Sequence, residues 1–101
     1  MSIKELLAQM AQSKTGPAIK VLEKGEQFKV ILIGFKKEMA LKAHQTPIKA
    51  KLIVLEGKVN YIEAQRLVVL KKYDELDIPK TVVHSVQALE DSICLLIQSQ
   101  D

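Results

Sequence analysis

The chain has 101 residues, 48% of them hydrophobic and 27% charged, which is enough apolar material for one core and too much for a disordered chain. Its net charge of +3 comes from fifteen basic and twelve acidic residues that are interleaved rather than blocked, and only four aromatics accompany them, Phe28, Phe35, Tyr61 and Tyr73, so no nucleic-acid partner is expected. The single cysteine, Cys94, excludes an intramolecular disulfide, and no apolar run approaches the ~20 residues of a membrane span, so the expectation is a cytoplasmic protein with no membrane partner.

The first segment reads as a short amphipathic helix. Ser2 and Glu5 have capping-box spacing, and Ile3, Leu6, Leu7 and Met10 form one helical stripe. Ser13-Lys14-Thr15-Gly16-Pro17 stops it, because Gly accepts a left-handed cap and Pro cannot continue a helix. The stripe packs either on its own domain or on a second subunit.

After Pro17 the pattern changes to short β-rich pieces. Strands are expected over 18–22, 28–35, 39–44, 51–56, 59–62, 66–70, 81–86 and 92–98, with a turn at Glu23-Lys24-Gly25-Glu26 and a stop at Gly57. The Glu63-Ala64-Gln65 connection lacks the Gly or Asn of a tight hairpin, and Tyr73-Asp74-Glu75 reads as a polar turn. Nothing between the strands is long enough for a helical crossover. Eight short strands with regular turns point to a sandwich or barrel. Residues 1–16 thus read as an N-terminal helical extension and 17–101 as one barrel domain.

Few side chains suggest chemistry. Cys94 lies in the apolar run Ile93-Cys94-Leu95-Leu96-Ile97 and reads as a buried small hydrophobe. Glu38, Glu56 and Glu63 read as solvated turn or strand-edge charges, and Lys36-Lys37 as a solvated edge. The four glycines are scattered, so there is no phosphate loop. There are two histidines, His44 and His84, each able to act as acid, base or metal ligand.

Each histidine has a recognisable setting. His44 opens His-Gln-Thr-Pro and stands thirteen residues before Gly57; His84 follows Pro79 by five in Ile-Pro-Lys-Thr-Val-Val-His. This spacing resembles the two motifs of the cupin family, G-x5-H-x-H-x3-E-x6-G and G-x5-P-x-G-x2-H-x3-N. Aligned on the histidines, the chain keeps His44, Gly57, Pro79 and His84. Glu38, Tyr73 and Thr81 stand at glycine positions, Thr46 at the second histidine, Ala50 at the glutamate and Ala88 at the asparagine. The texture is similar to that of small single-domain bacterial cupins.

The resemblance implies an all-β double-stranded β-helix, a small jelly-roll barrel with a short N-terminal α-helix and a pocket in its open end. It places His44, Thr46 and His84 at that pocket, with apolar residues such as Leu52 and Val54 behind them. Metal-binding cupins use three histidines and a glutamate. With Thr46 and Ala50 at two of those positions, only His44 and His84 remain as metal candidates, fewer than the three protein ligands usual in catalytic sites. The cofactor is therefore expected to be none or a divalent transition metal. The expected function is a binding module for an unknown small molecule, or a structural module, present as a homodimer and without catalysis. The alternative is a metal-dependent enzyme of the oxygenase or isomerase class using the two-histidine site.

Overall fold

The computed structural model describes residues 2–14 and 16–100, Ser2 by its backbone alone. One helix, α1 (Ser2–Gln12), precedes nine strands among the described residues: β1 (Ala18–Lys24), β2 (Phe28–Phe35), β3 (Ala40–His44), β4 (Lys49–Glu56), β5 (Lys58–Glu63), β6 (Arg66–Lys71), β7 (Glu75–Ile78), β8 (His84–Ala88) and β9 (Ser92–Ser99). They form two antiparallel sheets, in the orders β1-β2-β9-β4-β7 and β3-β8-β5-β6. This is the all-β jelly roll with a short helix.

Two strands differ from the sequence pattern. β7 occupies a stretch read as turn and connection, yet Leu76 and Ile78 alternate with Glu75 and Asp77, the period of a half-buried strand. It pairs with β4 from Ala50↔Ile78 to Ile53↔Glu75. The strand expected over 81–86 starts only at His84, because Thr81 is left-handed, with φ 58°, and no strand continues through that conformation.

Alternate residues fill the barrel. Ile31, Ile33 and Phe35 on β2, Ala50, Leu52 and Val54 on β4, Val59 and Tyr61 on β5, Leu70 on β6, Val86 and Ala88 on β8 and Cys94 on β9 form one buried cluster. Burying one such side chain contributes ~1.5–3 kcal/mol before entropy is counted. Cys94 is fully buried and its thiol is pushed up to about 12 by that burial. It should stay unreactive toward a soluble thiol reagent until the protein unfolds; fast native-state labelling would contradict this packing.

The helix packs on the outside of its own five-stranded sheet. Leu6 is completely buried with Ala18 and Leu32, and Met10, Leu55, Ile93 and Leu95 pack around them. Gly34 lies directly under the helix: a Cβ there would require the Met10 side chain to shift and would sit 3.4 Å from Leu6 Cδ2. Lys20 Nζ pairs with Glu5 at 2.9 Å, tying the helix to β1. The capping-box expectation rests on the Ser2 side chain and the helix stop partly on Thr15; both lie outside the described residues. The last turn of the helix carries no basic residue. Lys36, read from sequence as a solvated edge, donates to the Ala11 and Ser13 carbonyls at 3.2 and 3.1 Å and supplies the positive charge favoured at a helix C-terminus.

Four left-handed residues among those described shape the turns. Gly57 has φ 89°, Glu38 76°, Tyr73 73° and Thr81 58°. These are the four glycine positions of the two motifs, so the backbone keeps the motif geometry where the residue has changed. Backbone hydrogen bonds hold the three replacements: Glu38 N–H to Ala88 O at 2.9 Å, Tyr73 N–H to Val54 O at 2.6 Å, and Thr81 N–H to Thr46 O at 2.8 Å. At Gly57 the steric demand is stricter, since a Cβ would meet Ser92 Oγ and the Asp91 carbonyl. Replacement should therefore act in opposite directions at the two kinds of position. Thr81→Gly should raise stability by ~0.5–1 kcal/mol, relief of the left-handed strain exceeding the added freedom of the unfolded chain. Gly57→Ala should cost ~2–4 kcal/mol. Urea unfolding of both variants measures this.

Candidate functional site

The site is one cross-strand row. Strand β8 lies between β3 and β5, and its register opposes His84 to His44 on one side and to Glu63 on the other. Glu63 in turn faces Arg66 across the β5–β6 hairpin. Two residues back along β5, on the same face as Glu63, Tyr61 is fully buried. The result is a polar chain, His44–His84–Tyr61–Glu63–Arg66, at one end of the apolar interior.

The histidines meet directly. Their ring centroids are 4.4 Å apart with planes at 57°. His84 is 5% exposed, whereas His44 is exposed. Each donates its Nδ1–H to the carbonyl two residues earlier, His44 to Lys42 O at 2.9 Å and His84 to Val82 O at 3.0 Å. A carbonyl can only accept, so the proton is assigned to Nδ1 in both rings. In the neutral imidazole this leaves Nε2 with a lone pair. A β-bulge between Leu41 and His44 breaks the β3–β8 ladder, the kind of irregularity that re-aims a side chain.

The other half of the row is ionic. Glu63 Oε2 accepts from Tyr61 Oη and from Arg66 Nη2, the latter at 2.9 Å. The Glu63 side chain is 11% exposed and that of Arg66 43%. The Arg66 guanidinium carbon sits 5.4 Å from the Tyr61 ring centre, and Tyr61 stacks on His84 at 5.7 Å with planes at 25°. The hydrogen bond from Arg66 holds the Glu63 carboxyl below its usual range, assisted by the one from Tyr61. Burial pushes the Tyr61 phenol well up, and the neighbouring carboxylate adds to it. The cluster is thus a phenol, a carboxylate and a guanidinium, with two imidazoles beside them.

His44 and His84 are brought together as their motif positions require. Thr46 is half-buried, and its hydroxyl donates to Ile48 O at 3.0 Å while its carbonyl receives Thr81 N–H. Glu63 does not behave as the solvated edge charge that sequence suggests. Its inward direction is signalled by parity, since Val59 and Tyr61 point into the barrel and Glu63 follows in the same phase. A cavity of about 740 Å³ lies beside β4, β7 and β9. Its lining joins Lys49, Lys51, Asp77 and Ile97 to Ala50 and Ile78 of the core cluster, and includes neither His44 nor His84.

A catalytic metal does not fit this donor set. Among the described residues no group of three or more His, Cys, Asp or Glu is placed to hold a metal ion. Ala50 has no donor, the Thr46 hydroxyl is engaged, and one Glu63 oxygen is held by Arg66 and Tyr61. Two imidazoles fall short of the usual three protein ligands. No described helix is long and apolar enough to cross a membrane.

No protein-family model matches the chain, and no curated protein matches it. Solved structures do match. An RmlC-like cupin from Desulfovibrio desulfuricans is 21% identical, covering 83% of this chain and 82% of that one, with a TM-score of 0.77. A cupin superfamily protein from Desulfitobacterium hafniense is 16% identical, covering 94% and 88%, with a TM-score of 0.82. At those identities the likeness establishes a shared fold. A cupin-like protein from Thermotoga maritima is 30% identical, covering 85% of this chain and 71% of that one, with a TM-score of 0.79. Identity at that level over that length joins the fold to the motif spacing of His44, Gly57, Pro79 and His84: the chain belongs to the cupin family.

Proposed function

We propose that this cupin is a binding module for a small polar molecule, held at the barrel end against His44 and His84 without a catalytic metal. One observation carries the reading: two imidazoles at 4.4 Å, each with its Nδ1–H fixed on a backbone carbonyl. Fixing both tautomers presents two Nε2 acceptors as a pre-set pair, and pre-setting reduces the ordering cost of binding. The acceptors suit hydroxyl or amine donors on a ligand. Orientation of the second ring nitrogen by a carbonyl is also how metal-ligating histidines are held. The alternative is therefore a metal-dependent oxygenase or isomerase, and the short donor set weighs against it.

Compounds from a library of small polar molecules that raise the Tm of the wild type should lose that effect in both His44→Ala and His84→Ala. Purification with stoichiometric transition metal, combined with turnover that both variants abolish, would overturn the reading in favour of the enzyme.

The carboxylate beside the histidines should leave its own mark on stability. A group whose folded pKa is lowered, as for Glu63, contributes stability that is present above the ordinary carboxylate range and is lost as pH falls through the depressed value. Glu63→Gln should therefore flatten the acid limb of the unfolding curve and leave its neutral-to-alkaline shape unchanged. Parallel acid limbs for wild type and variant would show that the carboxylate is not held in this way.

A further inference from the structure

We infer that Arg66 and Glu63 form an anion-reading arm of this pocket and that the ligand is a small hydroxy-carboxylate, an inference that rests on the His44–His84 reading above. The arm starts from an asymmetry in Glu63. Both Tyr61 and Arg66 bond to Oε2, which leaves Oε1 as an acceptor on a side chain only 11% exposed. Arg66 has five N–H donors, and one of its groups is hydrogen-bonded to Glu63. At 43% exposure it retains donors for a ligand while its position is fixed by the carboxylate and the Tyr61 ring.

The complementarity selects the ligand. Two imidazole Nε2 atoms and Glu63 Oε1 accept, so they call for O–H donors. The Arg66 fork donates, and its planar geometry matches a carboxylate. Glu63 already balances the charge of Arg66, so the pair has no net positive field to draw in a bare anion. A simple carboxylate would meet the fork and repulsion from Glu63 together. A hydroxyl donating to Oε1 turns that second contact from repulsive to favourable. The class is therefore a molecule carrying both functions close together. Tyr61 is a positioning residue, holding the carboxylate from beneath.

Three probes separate the contributions: D-glycerate carries both functions, glycerol only hydroxyls and propionate only a carboxylate. Each is titrated into the full chain and followed by backbone amide shifts in NMR. Glycerate should bind more tightly than either partial probe by ~10-fold or more, the scale of one charge-assisted contact. Arg66→Gln should bring glycerate down to the level of glycerol, while Arg66→Lys should restore only part of the difference because it lacks the planar fork. Arg66 is partly exposed, so both variants should fold, and a dispersed amide spectrum checks this. Propionate binding as tightly as glycerate, or glycerate insensitive to Arg66→Gln, overturns the arm. If glycerate still loses affinity in His44→Ala, the pocket reading survives that failure. Glycerate that binds but ignores both His44→Ala and His84→Ala removes the pocket reading itself, and an absence of glycerate binding overturns the hydroxy-carboxylate assignment.

Discussion

Strand β8 is hydrogen-bonded to β3 on one side and to β5 on the other, and a single register serves both pairings. That register places Val86 and Ala88 in the core and His84 beside His44 and Glu63. A slip of one residue would turn Val86 and Ala88 to solvent and carry His84 out of the barrel with them. Core packing and site geometry are therefore one constraint. The apolar pair fixes the phase, and the imidazole inherits its position.

The polar row avoids the usual penalty for ionisable groups near a core because each member has a partner. An unpaired buried hydroxyl or carboxylate costs several times what a made hydrogen bond returns. Here the Tyr61 hydroxyl ends on Glu63, and Glu63 ends on Arg66, which reaches water. The imidazoles end on the backbone carbonyls two residues before them. Among the described residues no buried side-chain nitrogen or oxygen lacks a partner. The charge leads outward along the row from the fully buried phenol to the half-exposed guanidinium, so the barrel interior stays apolar beneath it.

Much of this was legible in the letters. The period-2 runs locate seven of the strands closely, and the spacing around His44 and His84 identifies the pair that the fold brings together. What escaped has local causes. β7 is four residues long and half acidic, so its alternation of Leu76 and Ile78 with Glu75 and Asp77 resembles a polar turn until β4 is seen beside it. The late start of β8 follows from the positive φ of Thr81, a conformation that a β-branched residue gives no reason to expect. Glu63 looks solvated because it borders the polar hairpin connection Ala64-Gln65; its partners Tyr61 and Arg66 are close in sequence, but only the strand phase shows that they converge. Lys36 reaches the helix end across more than twenty residues of chain, a relation without any local signal.

The left-handed quartet at Glu38, Gly57, Tyr73 and Thr81 separates two things that a motif normally joins, a torsion angle and the residue that makes it easy. Only Gly57 is enclosed tightly enough to forbid a side chain. At the other three corners a backbone hydrogen bond from the residue's own N–H holds the angle on whatever residue is present, at a strain of ~1–2 kcal/mol each. The barrel is thus specified by its hydrogen-bonded frame more than by its glycines. Its spelling can drift at those corners while its shape stays put, which makes the fold plainer in space than in sequence.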